Sequence, residues 1–410
     1  MPTKWKEDGF YVSPYNYEKE ARAGLKFPER VAIHDVTLRD GEQQCGIVLR
    51  KDEKLKIASA LDEARVDRIE AGMPSVSKED EKAIREIAHL GLRAKIFAFA
   101  RCMKVDVDKA LDVDVDGVVM EIPSSDHLIK YGYGWAENKA VDTAVEATAY
   151  AHKHGLYVTF FTIDSTRADF DVFWRLVRSV ADRGHMDSLS VADTFGVMNP
   201  QAYARFISRI RKVTKKPLEI HAHNDFGLAV ANTIAGLASG ASVAHVTVNG
   251  IGERSGNTSL EELVVSLRML YGVKTNVDFR KLTGLSRLVA GLTGVGVPPQ
   301  KPIVGETLFQ TESGIIAGWW SRLEKQNKPL EMLPFLPEVT GQPKMRIVLG
   351  KKSGKDSIVY KAHELGLAVD EKNIDGILTA IKEESIQRKR ALNDQEFSSV
   401  LDRFSKSPVN

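Results

Sequence analysis

At 410 residues the chain is about two to three times the usual single-domain length, so one large domain with an appendage is expected. Hydrophobic residues make up 43% and charged residues 27%, which excludes wholesale disorder, and 57 Lys and Arg against 55 Asp and Glu leave +2, which excludes a general pull towards nucleic acid or anionic membrane. The two cysteines, Cys45 and Cys102, cannot build a disulfide framework or a four-cysteine zinc site, no apolar run reaches the ~20 residues of a membrane span, and the N-terminus lacks the apolar core of a secretory signal, so the expectation is a soluble cytoplasmic protein.

Residues 1–30 read as an arm. With Trp5, Phe10, Tyr11, Tyr15 and Tyr17 it is too aromatic for a free tail and is expected to pack on the next domain or on a partner subunit. Residues 31–280 alternate short apolar runs with longer amphipathic segments. The runs are VAIHDV, VDRIEAG, AKIFAFA, DGVVMEI, LYVTFFT, DSLSVAD, LEIHAH and VAHVTVN, rich in Val, Ile and aromatics as buried parallel strands are. Between them, KDEKLKIASALDEAR places Leu55, Ala58, Leu61 and Ala64 on one helical face, and NPQAYARFISRIRKV opens with an Asn-Pro start signal. Eight such pairs predict a (β/α)₈ TIM barrel. A doubly wound open sheet is the rival, but the Gly-rich phosphate fingerprint after the first strand is missing. Residues 281–345, rich in Gly and Pro, read as a linker or lid subdomain. Residues 346–410 read as a small helical subdomain, in which LNDQEFSSVLDRF carries a helix start signal.

Barrel enzymes carry their chemistry at the C-terminal ends of the strands. Polar residues gather there: Arg39 and Asp40 after the first run, Glu70 in the second, Arg101 after the third, Asp193 and Thr194 at the sixth, His221 and His223 at the seventh. His221 and His223 are two residues apart, so a strand points both to one face. Two neutral imidazoles on one face suit a divalent cation, which wants a carboxylate, and Asp40 is the best-placed donor. The competing reading turns one histidine inward and leaves the other as a helix cap. Asn257, in GIGERSGN, offers an amide oxygen or a hold on a metal-bound water. Arg39 puts a cation where an enolate or alkoxide develops, and its plainer role is a salt bridge to Glu70. Cys45 and Cys102 read as small core residues rather than nucleophiles, and LGKKSGKDS as a solvated basic loop.

Three stretches, DVTLRDGEQ (35–43), HAHNDFGLAVANT (221–233) and GIGERSGN (250–257), resemble signature motifs of the metal-dependent acyl-CoA condensing and cleaving barrels. That family holds the isopropylmalate, homocitrate and citramalate synthases, with hydroxymethylglutaryl-CoA lyase as a relative. IVLGKKSGKDS (347–357) resembles the synthases' small helical subdomain, and a chain ending near residue 410 is similar to homocitrate synthases, without the regulatory domain of feedback-inhibited isopropylmalate synthases. The resemblance implies Asp40, His221 and His223 as ligands of a divalent metal (Mg, Mn, Zn or Co), with Asn257 as a fourth or water-mediated contact. It implies Arg39 at the oxyanion, Gln43 near the acyl-CoA methyl or enolate oxygen, and Arg101 and Thr194 around the 2-oxo acid carboxylate. The activity implied is condensation of acetyl-CoA, or another acyl-CoA, with a 2-oxo acid, in a homodimer whose subunits share their small subdomains.

Two departures bear on substrate and mechanism. Thr159 stands where isopropylmalate synthases carry Glu and homocitrate synthases carry Arg, which argues against 2-oxoglutarate and leaves Thr159 as the substrate contact there. Ile316 stands where the synthases have an acid/base histidine, and isoleucine moves no proton. GIGERSGN also lacks the cysteine of the lyase branch. The alternative is therefore a metal-dependent carbon–carbon lyase or aldolase using the same metal site on another 2-oxo or hydroxy acid. A non-catalytic barrel is the third reading, against which stand the intact ligands and Arg39.

Overall fold

A computed structural model describes residues 3–405. Eight strands close into a barrel: β1 (Ala32–Asp35), β2 (Arg68–Glu70), β3 (Lys95–Arg101), β4 (Gly117–Pro123), β5 (Tyr157–Ile163), β6 (Ser188–Asp193), β7 (Leu218–Ala222) and β8 (Val243–Val246). Their cyclic order is the chain order, every neighbouring pair is parallel, and β8 closes on β1. Each strand falls inside one of the apolar runs or within a residue of it, so the TIM barrel expected from the sequence is the fold.

Helices follow the strands: α1 (Lys51–Glu63), α2 (Lys78–Ala88), α3 (Lys104–Asp112), α4 (Glu137–Lys153), α5 (Phe170–Arg183), α6 (Pro200–Val213), α7 (Ala229–Leu237) and α8 (Leu260–Tyr271). The Asn-Pro signal starts α6, where the Asn199 side chain accepts from the Ala202 amide. The buried face of α1 differs from the one expected. It is Lys54, Ile57, Ala58 and Leu61, continued by Ala64, while Leu55 is only half-buried. A strict three-residue spacing slips by about 60° per step around a helix, so a stripe alternating three and four holds its direction better. Lys54 is tolerated there because Glu42 Oε2 and Asp80 Oδ1 each lie 2.5 Å from its Nζ.

The chain forms two compact units. Tyr15–Val297 is one, and the described residues up to Pro14 with those from Pro298 onward are the other. The arm thus divides: Tyr17 donates its hydroxyl to the Met269 carbonyl of α8 (2.7 Å), whereas Phe10 is buried and bridges to Phe335. The barrel unit also keeps α9 (Leu282–Thr293), a helix inside the stretch read as linker, with Leu282, Leu285 and Val289 buried. In the second unit, α10 (Gly314–Lys325) carries Ile316, and α11 (Lys355–Glu364), α12 (Ile374–Arg388) and α13 (Asp394–Ser405) pack around Ile358, Ile377, Ile381, Phe397 and Val400. No helix among the described residues is long and apolar enough to cross a membrane. Cys102 is a core residue as expected, but Cys45 is exposed, because it sits in the polar loop after β1 rather than on a strand.

Candidate active site

The site begins at the turn that ends β1. The Val36 carbonyl accepts from the amides of Arg39, Asp40 and Gly41 (3.1, 2.9 and 3.1 Å), which folds the chain sharply and holds Arg39 and Asp40 buried at the barrel mouth. Two strands round the barrel, with β8 between, β7 and the residue after it send His221 and His223 to the same face, as their spacing predicts. The loop after β8 folds back beside them, with Asn257 bridging to His223. Gly252 makes that approach possible: its φ is +146°, and a Cβ there would stand 2.1 Å from Asn257 Nδ2.

Asp40, His221 and His223 converge, all buried. His221 Nε2 is 3.3 Å from His223 Nε2 and 3.3 Å from Asp40 Oδ2, and His223 Nε2 is 3.8 Å from the same oxygen. Donors bound to one ion at about 2.1 Å would stand roughly 3.4 Å apart at tetrahedral angles, so this set fits a divalent cation. Protonation states agree. Burial, against the pull of Asp40, lowers His221 to about 3 and lowers His223, so both imidazoles are neutral donors. Burial would raise Asp40, but Arg39 and the histidines outweigh it and hold the carboxyl well below its ordinary value. Asn257 gives its Nδ2 to Asp40 Oδ1 (2.9 Å) and to the Ile251 carbonyl (3.2 Å), leaving its Oδ1 buried with no hydrogen-bond partner.

Arg39 is clamped. Its Nε donates to Glu70 Oε1, and its Nη1 to Asp40 Oδ2 (2.8 Å) and Gln43 Oε1 (3.1 Å). Its Nη2 is buried with no partner, a donor aimed at something not of this chain. The salt bridge to Glu70 and the place beside Asp40 and the two histidines thus coexist. The guanidinium lies 4.1 Å over the Phe99 ring and 6.0 Å from Phe161, whose ring stands edge-on to His221 at 5.1 Å.

The other expected contacts are placed less centrally. Thr194 Oγ1 accepts from the Asp164 amide (2.8 Å), which leaves its own hydrogen free to donate. Arg101 is half-exposed and bound by Asp106 through Nε and Nη2 (2.8 and 2.9 Å). Thr159 is fully buried two residues deeper on β5 than Phe161, its Oγ1 accepting from Ser188 (3.1 Å). Two features of the mouth escaped the sequence reading. One is the Phe99–Phe161 wall; the other is Glu121, inward-facing on β4 beside Arg101 and Phe161. Strand parity was the available signal, since Val119 and Glu121 share the inward face.

Comparison with known proteins accords with this geometry. Residues 30–289 match the HMGL-like family model, and residues 303–389 match the model described as homocitrate synthase post-HMGL domain-like. The chain is 40% identical to homocitrate synthase AksA of Methanothermobacter thermautotrophicus over 96% of this chain and 97% of that one. It is 45% identical to a probable 2-isopropylmalate synthase of Ignicoccus hospitalis (87% and 88% covered) and 41% identical to (R)-citramalate synthase CimA of Methanocaldococcus jannaschii (86% and 70%). In fold it resembles the hydroxymethylglutaryl-CoA lyase of Pseudomonas aeruginosa, with a TM-score of 0.59 at 23% identity over 66% of this chain and 95% of that one. The chain belongs to the HMGL-like family. Within it, the chain is an enzyme of the synthase branch that condenses acyl-CoA with 2-oxo acids.

Proposed function

We propose that the protein joins acetyl-CoA, or a related acyl-CoA, to a 2-oxo acid lacking a distal carboxylate, and that it does so as a homodimer. The observation that carries the reading is the convergence of Asp40, His221 and His223 beside an arginine with one unpartnered buried N–H. A divalent cation (Mg, Mn, Zn or Co) held by those three residues, with Asn257 Oδ1 or a water beside it, supplies Lewis-acid polarisation of the oxo acid's carbonyl. Arg39 Nη2 then donates to the oxygen that gains charge as the new carbon–carbon bond forms. Glu70 and Gln43 hold the guanidinium so that this donor is already aimed, and Thr194 donates its free hydroxyl to the acid's carboxylate. Phe99 and Phe161 keep water from the reacting carbons.

The substrate side chain is argued from charge. The arginines at the mouth are engaged: Arg39 by Glu70 and Asp40, Arg101 by Asp106, Arg167 by Asp164, and Arg254 by Asp225. Thr159 brings a hydroxyl already bound to Ser188. Among these residues a distal carboxylate thus meets no arginine without an acidic partner, and it would be desolvated against aromatic rings. The lyase alternative has less support, because relatives at 40–45% identity are synthases and the second domain match is of synthase type. The test is release of CoA thiol from acetyl-CoA with 2-oxoisovalerate, pyruvate or 2-oxoglutarate. One of the first two is expected to give the highest kcat/KM, and a tenfold preference for 2-oxoglutarate would overturn the substrate reading.

A further inference from the structure

A thioester methyl group becomes a carbon nucleophile only when a base removes one of its protons, so a condensing site needs a group near Arg39 that is free to change its protonation. The groups closest to the oxyanion donor are committed. His221, His223 and Asp40 face one another, and Glu70 is held by Arg39 and His34. Further around the mouth, Asp164 is bound by Arg167, Asp193 by Thr166, and Asp225 by Arg254. Glu121 is the exception.

Its backbone pairs in register with Arg101 on β3 and Phe161 on β5, and it shares the inward face of β4 with Val119, which packs against Phe97, Phe99 and Phe161. The strand spacing of about 4.8 Å sets it one step from Phe161, the ring that touches His221. It is half-buried, and among the described residues no side chain hydrogen-bonds or ion-pairs with its carboxylate. We propose that Glu121 is the catalytic base that takes a proton from the acyl-CoA methyl, an assignment that rests on the condensing reading. The C–H bond breaks, the proton passes to a Glu121 oxygen, and the electron pair forms the enolate that attacks the oxo carbon. The protonated carboxyl is then placed to return that proton to the nascent alkoxide. Burial raises the carboxyl above its ordinary value. Arg39 and Arg101 oppose the rise while Asp106 and Glu70 add to it, and Tyr133, pushed up to about 12, stays protonated beside it.

The experiment starts from the metal-loaded wild type and its preferred oxo acid. No oxo-acid-dependent thiol release would sink the condensing reading itself. With that activity established, Glu121→Gln is expected to lower kcat by about a hundredfold or more. The KM for the oxo acid should stay within about threefold, metal content should be unchanged, and the acid limb of the kcat/KM profile should disappear. Exchange of solvent deuterium into the acetyl-CoA methyl should fall in parallel. A Glu121→Gln enzyme within tenfold of wild type with its acid limb intact overturns the assignment. So does one that keeps kcat but changes its preferred oxo acid, which would make Glu121 a specificity residue. If the Gln variant does not fold, Glu121→Asp decides: withdrawing the carboxylate by one methylene must cost at least fivefold in kcat, and an unchanged kcat overturns the proposal.

Discussion

Two histidine–carboxylate clusters lie inside this barrel, and they differ in how their nitrogens are occupied. At the mouth, His221 and His223 bring their Nε2 atoms within 3.3 Å of each other, with one carboxylate, Asp40, between them and Arg39. Deeper, His34 stacks on His245 with ring centroids 4.4 Å apart and planes 17° off parallel, and each Nε2 has its own acid: Glu70 at 3.1 Å and Glu219 at 2.8 Å. Each acid has its own guanidinium, Arg39 for Glu70 and Arg68 for Glu219 at 2.7 Å. The deep cluster therefore closes as two relays, arginine–glutamate–histidine, meeting face to face. A dication added there would sit uncompensated between two arginines whose charges are already balanced. Buried Nδ1 atoms without partners occur in both clusters, so they do not distinguish them. What does distinguish them is that the two mouth Nε2 atoms share one acid while each deep Nε2 has its own, although the donor atoms of His34, His245 and Glu219 also lie within 4.8 Å of one another.

The largest expected effect falls on the mouth. His223→Ala should remove most of the bound metal and lower activity by more than about a hundredfold, because it deletes a donor from a set of three. A metal-replete, active variant would collapse the distinction between the clusters. Glu219→Gln tests the other side. It should leave one metal per chain and the oxo-acid preference in place, yet cost about 3 kcal/mol in denaturant unfolding, because Arg68 and His245 lose their shared acid. Metal analysis giving two ions per wild-type chain, falling to one in this variant, would show the deep cluster to be a site after all.

The barrel and the mouth triad were legible because both rest on local rules. Short Val- and Ile-rich runs mark buried strands, and a two-residue spacing puts His221 and His223 on one face. Asp40 could be placed because barrel chemistry collects at strand ends. The deep cluster was not legible: His34 and His245 meet only because β8 closes on β1, and Glu219 reads as one charge in an apolar run until β7 pairs with β8, which sets it opposite Val243 and within reach of His245 two residues on. Glu121 hid for the same reason, as did the clamp on Arg101, since Asp106 lies on α3 and nothing in the strand announces it. Helix α9, inside the stretch read as a linker, was not legible because the glycines of LTGLSRLVAGLT masked an amphipathic helix.

The last test sharpens the deep cluster through pH. Burial, aided by the neighbouring His245 and opposed by Glu70 and Glu219, lowers His34 from 6.5 to about 4. The unfolded chain therefore takes up this proton first. The stability His34 contributes is complete above pH 6.5 and is lost as pH falls towards 4, by about 3 kcal/mol over that interval. Its neighbour Asp35 runs the other way. Burial raises it from 3.8 to about 7 despite two hydrogen bonds from Thr37, so its contribution is complete below pH 3.8 and is lost as pH rises towards 7. Between pH 4 and 6.5 the two slopes oppose, and wild-type stability should change little on their account. His34→Gln keeps an N–H donor for Glu70 but removes the titration, leaving Asp35 alone. Measured by urea unfolding, the variant should gain on the wild type as pH drops from 7 to 4, while groups common to both proteins cancel in the difference. A stability difference flat to within about 0.5 kcal/mol across that range would mean that His34 titrates alike in the folded and unfolded chains, and that burial beside His245 does not hold it neutral against the pull of Glu70.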